Sequence, residues 1–189
     1  MILTIHVDGE SRRPKTRQEE DRLIGRVLGG LKYGDNAWFA LDFNRADEES
    51  FPDSALIVSV NTSTGFGGVV WLTSRNYPKQ GGVYDSVWVS DNPAPPTSDP
   101  NVLSEPHAPI VMDPASTFPV AELRKVIEEF CRDKTGERPS CIGWVAGNIG
   151  GERADKEHDA DLDSQAAASA QAVLDALTAY IESGDHPAS

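Results

Sequence analysis

The stretch TFPVAELRKVIEEFCRDKTGERPSCIGWV, Thr117 to Val145, decides the fold. Pro119 opens a helix, because at the first helical position its missing N–H removes nothing and its fixed φ already suits the turn. Ser116 or Thr117 is the expected cap, and Glu122 lies near the positive end of the helix dipole. Val120, Leu123, Ile127 and Phe130 recur at steps of three and four, which makes one apolar stripe. Arg124, Lys125, Glu128, Glu129, Arg132 and Asp133 fall mostly on the solvated side. Gly136 supplies the left-handed residue that ends a helix, and Pro139 prevents its resuming. Cys141 to Val145 then reads as a strand, with Ile142 and Trp144 on one face and Cys141, Gly143 and Val145 on the other.

Towards the N-terminus, Ile2/Thr4/His6 alternate with Leu3/Ile5/Val7, a half-buried strand. Ser11 to Lys15 is a basic turn. Thr16 with Glu19 is a capping box. The helix it opens buries Leu23, Ile24, Val27 and Leu28 and stops at Gly29-Gly30. Four strands are expected next, at 37–43, 55–61, 65–73 and 82–90, the middle pair joined as a hairpin by a Thr-Ser-Thr-Gly turn. The strand–helix–strands–helix–strand order predicts an α+β fold: an antiparallel-rich sheet with the 16–30 and 118–134 helices packed on it.

Two connections cannot join that sheet. Residues 47–53 carry Asp47, Glu48, Glu49 and Asp53 around Phe51. Residues 91–118 hold Pro93, Pro95, Pro96, Pro100, Pro106, Pro109 and Pro114, which excludes a central strand or a helix. Ile110 to Met112 could form a brief edge strand. A connection this long in a compact domain is usually functional or mobile. Gly147 to Gly151 reads as a linker. Beyond it lie a charged run and an alanine-rich helix over 165–183, marginal alone and expected to dock on the domain or on a partner. The expected division is therefore 1–147 for the α+β domain and 148–189 for an acidic linker with a C-terminal amphipathic helix.

The net charge of the 189 residues is −13, and 147–189 alone holds nine acidic and two basic residues. Such a chain repels nucleic acid and anionic membrane and is drawn to a basic partner, less so as salt rises. Solubility alone would also account for the acidity. Met1 to Val7 is too short and too uncharged for a signal peptide, and no apolar run could span a bilayer. A cytoplasmic protein is expected, with Cys131 and Cys141 as reduced, mostly buried thiols.

His6, His107, His158 and His186 show no metal-ligand spacing. Gly65 to Gly68 and Gly147 to Gly151 lack the Lys-Ser/Thr of a phosphate loop and read as turn glycines. There is no nucleophile elbow. The acid groups Asp47/Glu48/Glu49 and Glu128/Glu129 read as solvated. Arg138 could bind an anion, position the turn before Pro139 or pair with Glu137, and Trp144 reads as core. No cofactor, metal or catalytic residue is expected.

The end of the organising stretch carries a resemblance. Thr135, Gly136, Glu137, Arg138, Pro139, Ser140, Cys141, Ile142, Gly143 and Trp144 spell T-G-x-R-P-x-C-[IV]-x-W after a helix opened by an apolar-Pro step. This resembles the C-terminal signature of the Imm1 family of bacterial immunity proteins, in which Gly136, Glu137, Arg138, Pro139 and Trp144 are expected to be mainly structural. The resemblance covers residues 1–147; nothing in it corresponds to 148–189. It implies a non-enzymatic inhibitor of a secreted toxin, often a nucleic-acid deaminase or else a nuclease, encoded beside it. Such toxins hold a basic groove, which an acidic inhibitor suits. Asp47, Glu48, Glu49 and Asp53 would form the carboxylate rim, with Phe51 as anchor and Trp88 emerging nearby, since loops on a rigid scaffold are where binding is usually built. A monomer or weak homodimer is expected. The alternatives are a small-ligand protein or enzyme with a pocket under 91–118, and a dimeric adaptor that uses the C-terminal helix.

Overall fold

The computed structural model describes residues 1–43, 52–74, 87–105 and 110–156. The expected C-terminal helix, residues 82–86 of the expected fourth strand, and Asp47, Glu48, Glu49 and Phe51 lie outside them.

The elements follow the sequence-derived order. They are β1 (Ile2–Val7), β2 (Glu10–Arg12), α1 (Arg17–Gly30), β3 (Asn36–Asp42), β4 (Ser54–Asn61), β5 (Phe66–Thr73), β6 (Val87–Asp91), β7 (Leu103–Glu105) and β8 (Ile110–Val111). A 3-10 turn at Pro114–Ser116, β9 (Thr117–Pro119), α2 (Val120–Asp133) and β10 (Gly143–Ala146) complete them. The main sheet runs β10-β6-β5-β4-β3-β1-β2, with β9 pairing β5 beside the β6 ladder, and every described pairing in it is antiparallel. This is the expected α+β sheet with two helices. The β4–β5 hairpin is the expected one, in register from Ser54↔Thr73 to Asn61↔Phe66.

Period-two alternation gives the sheet two apolar faces. One face presents Leu3, Ile5, Phe39, Leu41, Leu56, Val58, Val69 and Trp71 to the helices. Against it, α1 buries Ile24, Val27 and Leu28, and α2 buries Leu123, Val126, Ile127, Phe130 and Cys131. At the head of α1, the Thr16 hydroxyl accepts from the Glu19 N–H at 3.2 Å. The Glu19 carboxylate reaches back to the N–H of Lys15 at 2.8 Å rather than to that of the cap residue.

The opposite face holds Ala55, Ile57, Val70, Leu72 and Val89, and the proline-rich connection covers it. Val102 and Met112 are buried there, 0% and 1% exposed. The β7–β8 pair forms a small second sheet in the same segment. The long connection is thus a wall of the core.

Several local expectations are corrected. Thr117 does not cap α2; it is drawn with Phe118 and Pro119 into the ladder with β5, and α2 has no side-chain cap. Pro119 accordingly precedes the first helical residue, and the Val120 N–H is taken by the Gly65 carbonyl at 3.0 Å. The left-handed residue that ends α2 is Lys134, φ 46°, with Gly136 at φ 72° two residues on. The last strand starts at Gly143, not Cys141, and Cys141 is exposed.

Gly67 and Gly68 are not turn residues. They lie inside β5, where a Cβ on Gly67 would meet the Ser59 carbonyl oxygen at 2.4 Å and Leu123 at 2.6 Å. On Gly68 a Cβ would meet Met112 at 2.5 Å. Glycine there lets α2 and the proline-rich segment press onto opposite faces of one strand.

The 147–151 segment, expected as a linker, is packed. The Gly147 N–H bonds to the Val87 carbonyl at 3.0 Å, and the Ser104 hydroxyl donates to the Gly150 carbonyl. Arg153, 6% exposed at its side chain, pairs with Asp91 and Asp155, both at 2.8 Å. Residues Met1–Asp155 accordingly form one compact unit.

Candidate functional site

The T-G-x-R-P-x-C-I-x-W segment is a strap laid over the helix-side face near one end of the sheet. Its first anchor is the Gly136 carbonyl, which accepts from Ser54 Oγ at 2.7 Å and from Trp71 Nε1 at 3.2 Å. The second is the Pro139 carbonyl, which accepts from Trp144 Nε1 at 2.7 Å. Both indole N–H groups are thereby satisfied, as partly or wholly buried tryptophans require.

The third anchor comes from α2. The Glu129 carboxylate accepts from the Ser140 N–H at 2.6 Å, from the Ser140 hydroxyl at 2.8 Å and from the Cys141 N–H at 3.2 Å. Partial burial alone would raise its pKa; hydrogen bonds from the Cys141 thiol and from Ser140 overcome that and hold the carboxyl below its ordinary value. The sequence suggested a solvated acid, because helical periodicity cannot reveal a contact eleven residues away. In return, partial burial and the Glu129 charge push the Cys141 thiol up to about 12.

Between the anchors, Arg138 lies over Trp88, its guanidinium carbon 3.9 Å from the ring centroid and 5.9 Å from that of Trp71. Trp71 and Trp88 are cross-strand partners, so the pair offers one continuous aromatic floor. Burial lowers the Arg138 pKa, and the charge is held by the ring faces. Among the described residues no ion pair joins Arg138 to Glu137, and its stacking does more than shape the turn before Pro139. Trp144, expected as core, is half-buried and packs on the edge of the helix-side cluster.

Of the residues expected at a partner surface, the structure brings Trp88 into contact with the family-motif residue Arg138. Asp53 is placed differently from a solvated rim. It is 9% exposed, its Oδ2 accepts from the Phe43 N–H at 2.7 Å, and its carbonyl accepts from the Ser74 N–H at 3.0 Å. Asp53 thus ties together the ends of β3, β4 and β5. Burial and the Asp53 charge raise the pKa of neighbouring Asp42. Trp88 stands at the same end, where β5 stops and β6 begins. Among the described residues no group of His, Cys, Asp and Glu is arranged to hold a metal, and no helix is long and apolar enough to cross a membrane.

No curated protein and no solved structure matches the chain. The profile described as "Immunity protein Imm1" matches residues 8–146, most of the chain and the whole of the strap through Trp144. The chain therefore belongs to the Imm1 family of immunity proteins.

Proposed function

We propose that this domain neutralises its cognate toxin by docking over a basic, nucleic-acid-handling groove, and that it does so in the cytoplasm as a binding protein without catalysis of its own. Membership of the immunity family supports toxin inhibition. The observation that carries the choice of groove is charge: a net −13 on 189 residues favours a basic counterpart and speeds its capture. A deaminase or a nuclease is the toxin class that such a groove fits.

The docking end is the one where β3 ends, β4 begins, β5 ends and β6 begins. Asp47, Glu48 and Glu49 belong to the connection there and supply the carboxylate rim, with Phe51 and Trp88 as apolar contacts. Asp53 fixes the base of that connection from inside.

The test is toxin activity on its nucleic-acid substrate with increasing amounts of the purified chain. Stoichiometric loss of activity supports the proposal. A toxin still active in a stable complex with the chain would remove occlusion as the mechanism.

A further inference from the structure

Arg138 is held from both sides. Two residues before it the Gly136 carbonyl is bonded to Trp71 and Ser54, and the next residue, Pro139, is buried with its carbonyl bonded to Trp144. The guanidinium is seated on Trp88 at 3.9 Å. A guanidinium stacked on a ring keeps its donors in its own plane, parallel to the ring and free to point outward. Among the described residues no carboxylate pairs with it and no acceptor takes a hydrogen bond from it. Glu129 of α2, which lines the same cavity as Arg138, is turned to Ser140 and Cys141. A shallow cavity of about 170 Å³ beside Arg138 has Asp133 and Glu137 in its wall.

We propose that Arg138, stacked on Trp88, is the anchor through which this domain grips a carboxylate on its toxin. The inference rests on the toxin-binding reading above and deepens it. Stacking has already restricted the side chain, so little rotamer entropy remains to be lost on binding. The planar fork suits a carboxylate in a bidentate pair. Asp133 and Glu137 flank the site and repel a surface that is acidic throughout. The surface that fits carries one carboxylate within basic surroundings, so the same patch attracts the toxin and fixes its register. A cation on an otherwise acidic inhibitor then serves specificity, and the acidic rim serves the rate of encounter.

The experiment measures the Kd of the full chain for the catalytically inactivated toxin domain encoded beside it, by calorimetry, beside thermal melts. Arg138→Met keeps apolar cover on Trp88 and removes the donors; Arg138→Lys keeps the charge without the fork. The expected result is a Kd at least about tenfold weaker for Arg138→Met, with a melting midpoint within about 2 °C of wild type, and an intermediate Kd for Arg138→Lys. A wild-type Kd for Arg138→Met, or a loss of affinity that follows a lowered midpoint in both variants, overturns the anchor. A wild-type chain that forms no complex overturns the toxin-binding reading itself.

Discussion

Glu129 and Ser140 are joined twice, through the Ser140 N–H at 2.6 Å and its hydroxyl at 2.8 Å, so one helical carboxylate pins the strap that carries Arg138. Charge-assisted bonds are strong, but this group is partly exposed and solvent screens it. Glu129→Ala is expected to cost about 1–2 kcal/mol, read from urea melts. The folded pKa is depressed, so the contribution is present above the unfolded carboxyl value and is lost as pH falls through the folded one. Glu129→Gln should flatten the acid limb of the stability profile.

The same contact sets a thiol reactivity. Cys141 is exposed, yet its pKa is pushed up to about 12, so little nucleophilic thiolate exists at neutral pH. Alkylation by iodoacetamide should be slow in the native protein and faster in Glu129→Gln. Equal rates in the two would show that the carboxylate does not reach the thiol.

Gly67→Ala should lower stability by about 2–3 kcal/mol, because the Ser59 carbonyl it meets is backbone and cannot swing aside. Gly29→Ala, in α1 with open space around it, should be neutral or stabilise by up to about 1 kcal/mol. The two thermal melts, side by side, separate a packing glycine from a permissive one.

The tryptophans should rank by burial. Trp71, 2% exposed, is expected to cost about 3–5 kcal/mol on truncation to alanine. Half-buried Trp144 should cost about 2 kcal/mol, part of it from the lost bond to Pro139.

Much of this fold is legible in the sequence because periodicity is local. Leu123, Ile127 and Phe130 announce α2, and the alternation through 37–43 and the β-branched run at 55–61 announce two central strands. The cover of the second sheet face is not legible, since Val102 and Met112 stand among prolines without any period. Nor is Thr117–Pro119 as a strand, because cap residues and edge-strand residues are of the same types. At the site, Trp88 and the motif residues were visible, but their union was not. It depends on the Trp71↔Trp88 register and on a carboxylate from another element, and no spacing in the chain encodes either.

The measurement closest to the central claim is stopped-flow association of the purified chain with its toxin domain at two salt concentrations, for wild type and for the triple variant Asp47→Asn, Glu48→Gln and Glu49→Gln. The expected result is a fast wild-type association that slows with salt, and a slower, less salt-dependent one for the variant. Wild-type association that ignores both salt and the triple neutralisation would contradict capture of a basic toxin face by the acidic end of the sheet.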